Sequence, residues 1–183
     1  MKNFVSNAIW NFQYYKGLGE KAIAQLEDDQ LNVQLNEDSN SIALIIKHLS
    51  GNMLSRWTDF LTSDGEKEWR NRDNEFKGEV DSKSEIMALW EKGWQCLFNT
   101  LENLTDDDLD TIVYIRNEGL TVLEAINRQL AHYPYHVGQI VFLAKALKTT
   151  SWNSLSVPRG QSQGYNQKRF EKLKAQKDFD EGY

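Results

Sequence analysis

Imidazole is the side chain that most readily binds a metal or moves a proton near neutral pH, and this chain carries three: His48, His132 and His136. Two of them lie four residues apart in "RQLAHYPYHVGQIVFLAKAL", residues 128–147. On a helix that spacing brings both rings to one face. At ~100° per residue the same sector holds Val122, Ala125, Ile140 and Leu143, so both rings are expected to face a helical-bundle interior. An unsatisfied buried nitrogen costs about 1–3 kcal/mol, and aliphatic neighbours offer it nothing. A divalent cation satisfies two rings at once. His48 stands in "NSIALIIKHLSGNM", in the sector of Leu44, Ile45 and Asn52 at the edge of an apolar stripe, so it can point inward too. Three neutral imidazoles suit Zn, Ni, Cu or Fe and leave coordination positions free for water or substrate. The competing reading is three core histidines, each hydrogen-bonded to a protein group. No H-E-x-x-H is present, because Tyr133 stands where that motif places its general-base Glu.

The neighbours of these histidines suggest a pocket. Asn52 lies one turn beyond His48 and can hydrogen-bond a ligand. Arg56, a further turn on, can hold a substrate carboxylate bidentately, or be an ordinary surface arginine. Pro134 has no N–H to offer the Leu130 carbonyl and crowds it, which predicts a kink or small bulge near residues 130–134. Such a kink either tilts His132 relative to His136 or is simply tolerated. Cys96 lies in an apolar helical stretch with no histidine near it in sequence, and reads as a core thiol rather than a nucleophile. Trp10 and Tyr14 sit off the main stripe of the first helix, at a pocket mouth or a subunit contact. Arg159 and Gln161 fall on a loop able to fold over the site.

Four amphipathic segments must position these groups. Helical periodicity predicts helices near residues 3–27, 40–61, 82–103 and 121–148. The second follows "DSNS", a run of good N-cap residues, and the third and fourth open with capping-box spacing at Ser82–Glu85 and Thr121–Glu124. Residues 62–81 are polar and read as a long loop, and "TDDDLD" suggests one helical turn. "TIVYIRNEGLT" alternates like a small hairpin turning at residues 117–119. Beyond residue 148, Pro158, Gly160 and Gly164 predict a loop before a last short helix near 166–177. Four striped helices bury their stripes best against one another, so the expected fold is all-α: one domain over 1–183, with an antiparallel four-helix bundle over about 3–148 and a loop and short helix over 149–183.

Composition narrows the function classes. A net charge of −6 argues against a phosphate-backbone-binding surface, so no nucleic-acid partner is expected. No apolar run is long enough to span a bilayer, and the opening residues lack the apolar core of a signal peptide. With a single cysteine, these features lead us to expect a cytoplasmic protein without a membrane partner. Six tryptophans and seven tyrosines exceed what one four-helix core readily encloses, which suggests a homodimer.

Over about residues 3–148, the run before His48 and the downstream "LTVLEAINRQLAHYPYHVGQIVFLAKAL" together resemble the DinB-like, or YfiT-like, superfamily. "LSVPRGQSQGYN" resembles a subgroup known only as a domain of unknown function. The resemblance implies a four-helix bundle whose second helix supplies one metal-binding histidine and whose last supplies two spaced H-x-x-x-H. On this chain those positions are His48, His132 and His136; the proline inside the pair departs from the pattern. The resemblance also implies enzymes that use a low-molecular-weight thiol as S-transferases or isomerases, with Zn or Ni as the ion and a small molecule as substrate. A metal-dependent hydrolase and a non-catalytic metal-binding bundle remain the alternatives.

Overall fold

The computed structural model describes residues 3–80, 82–148 and 150–175. Four long helices form an all-α bundle: α1 (Phe4–Ile23), α2 (Ile42–Trp57), α3 (Lys83–Leu101) and α4 (Val122–Leu147), followed by a short α5 (Ser162–Phe170). α2 packs chiefly on α3 and α1 chiefly on α4, with α2 also touching α4. No helix among the described residues is long and apolar enough to cross a membrane.

The starts of the helices follow local chemistry. The Ser41 hydroxyl accepts the Leu44 N–H and the Ser82 hydroxyl accepts the Glu85 N–H. At α4 the capping box closes both ways, Thr121 bonding the Glu124 N–H and the Glu124 carboxylate bonding the Thr121 N–H. Each helix contributes a buried stripe: Ala8, Phe12 and Ala22 from α1, Ile86, Trp90 and Leu97 from α3, Val122, Ile126, Ile140 and Ala144 from α4. Trp94 sits in the middle, with ring centroids 6.2 Å from Phe12 and 5.9 Å from Tyr133. Gly93 lets α3 approach α2 closely, since a Cβ there would stand 3.0 Å from the Ser50 Cα.

Several elements depart from expectation. α1 stops at Ile23, and a 3-10 turn over Asp28–Asn32 follows. α2 is buried almost all round, polar residues included. Its third side is covered by the segment expected to be an open loop, which contains a 3-10 turn over Arg72–Phe76 capped by the Asn71 side chain. The hairpin exists, pairing β1 (Ile112–Ile115) with β2 (Glu118–Thr121), but it turns at Arg116–Asn117. Both turn residues have positive φ, 56° and 61°, as a two-residue type I′ turn requires. Neither is glycine; the Asp64 carboxylate stabilises the turn by accepting both backbone N–H groups at 2.8 Å. α4 itself runs from Val122 to Leu147 as expected, with Pro134 inside it. α5 begins at Ser162, within the expected loop; a lone Gly164 costs a helix only about 1 kcal/mol and does not break it. Residues 176–177, the end of the expected last helix, lie outside the described residues.

Candidate metal centre

His48 on α2 and His132 and His136 on α4 come together, their candidate ligand nitrogens all within 4.8 Å of one another. Ring centroids are 4.8 Å apart for His132–His136, 5.0 Å for His48–His136 and 5.6 Å for His48–His132. The core-facing positions of this turn of α4 belong to Tyr133 and Val137, both fully buried. The two α4 histidines are half-buried beside them, so the expectation that they point into the bundle interior is corrected. A helix face is wider than its buried stripe, and the histidines occupy the flank where α4 meets α2. They line an open cavity of about 480 Å³ together with His48, Asn52, Arg56 and Phe76.

Each ring is oriented through its Nδ1. The His48 Nδ1 lies 2.9 Å from the Glu75 Oε2. An ionised carboxylate only accepts, so this nitrogen carries the proton. The His136 Nδ1 is 2.7 Å from the Gln139 Oε1, and the Gln139 amide is fixed because its Nε2 donates to the Tyr135 hydroxyl. The His132 Nδ1 is 3.2 Å from the Gln129 Oε1. With all three Nδ1 atoms donating, all three Nε2 atoms present lone pairs. Two of these, on His132 and His136, stand 3.1 Å apart. With both Nδ1 protons committed to the glutamines, neither Nε2 has a proton to offer the other, and a cation between them would satisfy both. Two nitrogens at ~2.05 Å from a Zn ion lie roughly 3.3 Å apart at a tetrahedral angle and roughly 2.9 Å apart at a right angle. The observed separation falls between these, so this pair fits a divalent ion, with the His48 ligand nitrogen within 4.8 Å of it. An extra proton is the poorer solution. Burial, then the neighbouring histidines, Arg56 and Arg128, lower the His132 pKa from 6.5 to about 4. Burial also lowers that of His136.

Behind His48 stands a charged support. Arg70 holds Glu75 through two parallel bonds, Nε to Oε1 at 2.8 Å and Nη2 to Oε2 at 3.0 Å. Burial opposes ionisation of Glu75, but the bonds from His48 and Arg70 and the Arg70 charge prevail and hold its carboxyl below the ordinary value of 4.5. Glu75 packs directly over α2: a Cβ at Gly51 would meet its Cδ at 2.8 Å. Asn52 is fixed by a buried relay. The Trp57 indole N–H donates to the Tyr133 hydroxyl at 3.0 Å, which donates to the Asn52 Oδ1 at 3.1 Å. The Asn52 carboxamide N–H groups are thereby left to the cavity.

Asn52 and Arg56 both line this cavity. Arg56 is nevertheless buried and engaged, donating to the Gly65 carbonyl and, at 3.3 Å, to Glu66. Arg159 and Gln161 do not line it; Gln161 lines a separate cavity beside Tyr14. Trp10 stacks on Tyr14 with centroids 5.7 Å apart. Cys96 is half-buried, 3.6 Å from the Thr58 hydroxyl and away from the histidines. Sequence reading missed Glu75, which reaches His48 from a polar segment with no periodicity, and Arg70, which holds Glu75. Gln129 and Gln139 did carry a signal, lying three residues before His132 and three after His136, where helix side chains meet.

No curated protein and no solved structure matches the chain. One family model does, over residues 1–161, a span that includes all three histidines, Glu75 and both glutamines. The chain therefore belongs to the family described as "Protein of unknown function (DUF1572)".

Proposed function

We propose that His48, His132 and His136 bind one divalent metal ion through Nε2, with Zn or Ni the best-suited ions, and that the chain is a metal-dependent enzyme of the DinB-like kind acting on a small molecule. The observation that carries this reading is the convergence of three imidazoles, their candidate ligand nitrogens within 4.8 Å of one another, whose Nδ1 atoms all face acceptors. Metal-binding histidines characteristically donate their other N–H to such acceptors. The open cavity beside the cluster favours catalysis over a closed structural ion.

The reaction class that best fits is S-transfer from a low-molecular-weight thiol, in keeping with the DinB-like resemblance. When bound, a divalent ion lowers the pKa of a thiol or water and makes its anion available near neutral pH. The protein's own residues do the rest. Glu75, Gln129 and Gln139 fix the three imidazole tautomers. Arg70 keeps Glu75 ionised. Asn52 offers its carboxamide N–H groups to a ligand from a side chain that the Tyr133 bond prevents from flipping. Hydrolysis is the second reading, because the cavity is open enough to admit water.

The test is metal uptake by protein purified without chelator and then offered Zn or Ni. One ion per chain is expected, with stoichiometric binding lost in His48→Ala, His132→Ala and His136→Ala while helical circular dichroism persists. Wild-type protein that takes up neither ion refutes the reading. Turnover assays pairing thiols with electrophiles, and then ester and amide panels, separate transfer from hydrolysis.

A further inference from the structure

On a chain of net charge −6, the cavity beside the histidines is locally basic. Five arginines line it: Arg56, Arg70, Arg72, Arg116 and Arg128. Among the described residues only two carboxylates answer them. Glu75 is taken by Arg70, and Glu66 is shared by Arg56 at 3.3 Å, Arg70 at 3.7 Å and Arg116 at 3.0 Å. Arg72 and Arg128 have no carboxylate partner among the described residues. Both are exposed at the cavity and both are placed against the cluster. Arg128 lies one helical turn before His132, on the same side of α4, close enough that its charge helps to lower the His132 pKa. Arg72 lies over the Phe76 ring, 5.3 Å from its centroid, and Phe76 in turn stacks on His48 at 5.1 Å. A guanidinium laid flat on a ring keeps its N–H edges free for a second partner.

This arrangement suits an anion. Uncompensated positive charges repel one another and also oppose a divalent cation on the histidines. A ligand carrying its own negative charge removes both penalties. We propose that Arg72 and Arg128 bind the acidic group of the small-molecule ligand, a carboxylate or a phosphate, while its other end reaches the three histidines. The inference rests on the metal-site reading for that second contact, whereas the anion subsite belongs to the arginines alone. Arg56, the arginine expected from sequence to clamp a carboxylate, is not the primary clamp, because Gly65 and Glu66 already occupy it.

The test uses metal-free full-length protein titrated calorimetrically at low ionic strength with inorganic phosphate and, separately, with succinate. Saturable binding of one anion per chain is expected for at least one probe, and the tighter probe tells phosphate from carboxylate recognition. Arg72→Gln and Arg128→Gln should each weaken it about tenfold, the loss expected for a charge-assisted hydrogen bond, and the double variant should abolish it. Arg159→Gln, outside the cavity, should leave it unchanged. Both pocket arginines are exposed, so these variants should keep the wild-type melting temperature. Failure of both probes to bind, or undiminished binding in the double variant, overturns the proposal. Zinc and nickel uptake measured on separate aliquots of the same preparation keeps the two readings apart: anion binding without uptake of either ion sinks only the metal site, and metal uptake without anion binding sinks only the arginine subsite.

Discussion

Replacing Glu75 by Gln removes one charge and changes almost nothing in shape, so it isolates what the buried carboxylate does. Glu75 accepts through both oxygens, Oε1 from Arg70 at 2.8 Å and Oε2 from both Arg70 at 3.0 Å and His48 at 2.9 Å. An amide has only one acceptor oxygen, so its NH2 group confronts the guanidinium in either orientation, and in one of the two the imidazole N–H as well. The Arg70 side chain is only 2% exposed and would retain Glu66 alone, at 3.7 Å. Breaking a buried ion pair by removing one partner costs about 3–5 kcal/mol; the residual Glu66 contact puts the expectation near the lower end, about 2–3 kcal/mol. At about 2–4 °C per kcal/mol for a chain of this size, the melting temperature should fall by about 4–12 °C. Metal affinity should fall about 10–100-fold, as for other groups that orient a histidine ligand. The pH dependence supplies a third readout. The folded-state pKa of Glu75 is lowered, so on acidification the unfolded chain takes up the proton first. The carboxylate's contribution is therefore complete above 4.5 and is lost as pH falls through the lowered folded value. In Glu75→Gln that part of the acid limb should disappear from a plot of unfolding free energy against pH. Denaturation and metal titration of the two proteins side by side decide the matter. Equal melting temperatures and equal metal affinities would refute the assignment of Glu75 as the group that orients His48.

Gly51→Ala should lower metal affinity with all three ligands intact, because the new Cβ displaces Glu75, whose Cδ would be 2.8 Å away; unchanged zinc affinity would show that Glu75 can shift without consequence. Tyr133→Phe should cost about 1–3 kcal/mol in urea denaturation, since it strands the buried Trp57 N–H and the Asn52 carbonyl, and a neutral result would mean that other partners replace the hydroxyl. For His132, with a folded pKa of about 4 against 6.5 in the unfolded chain, neutrality contributes stability in full above 6.5 that is lost as pH falls towards 4. His132→Ala should accordingly flatten the stability profile of the metal-free protein between 6.5 and 4, and an unchanged profile would contradict this. A homodimer is proposed from the aromatic excess and from exposed Tyr135 and Phe142 on α4; light scattering at micromolar concentration that reports a monomer would reject it.

The four long helices and their order were legible in the sequence because each rests on nearest-neighbour physics: a stripe at helical period and, for three of them, a hydroxyl cap at the start. The H-x-x-x-H spacing likewise determined that His132 and His136 share a face, and Gln129 and Gln139 fall within reach of them by the same i, i+3 geometry. Tertiary structure decided everything that depends on distant segments meeting. Periodicity could not tell that the α4 histidines flank the core while Tyr133 fills it, since a sector of a helix has no partner until α2 is packed against it. Nor could it tell that residues 62–81 fold back over α2, because a segment held by Arg70–Glu75, Ser55–Gly65 and Asp64–Arg116 contacts carries no hydrophobic repeat. The same long-range placement explains the charge. A net −6 is an average over the chain, whereas the cavity's electrostatics depend on which arginines converge there and which of them Glu66 and Glu75 already hold. That convergence joins residues tens of positions apart, and only the packed fold brings it about.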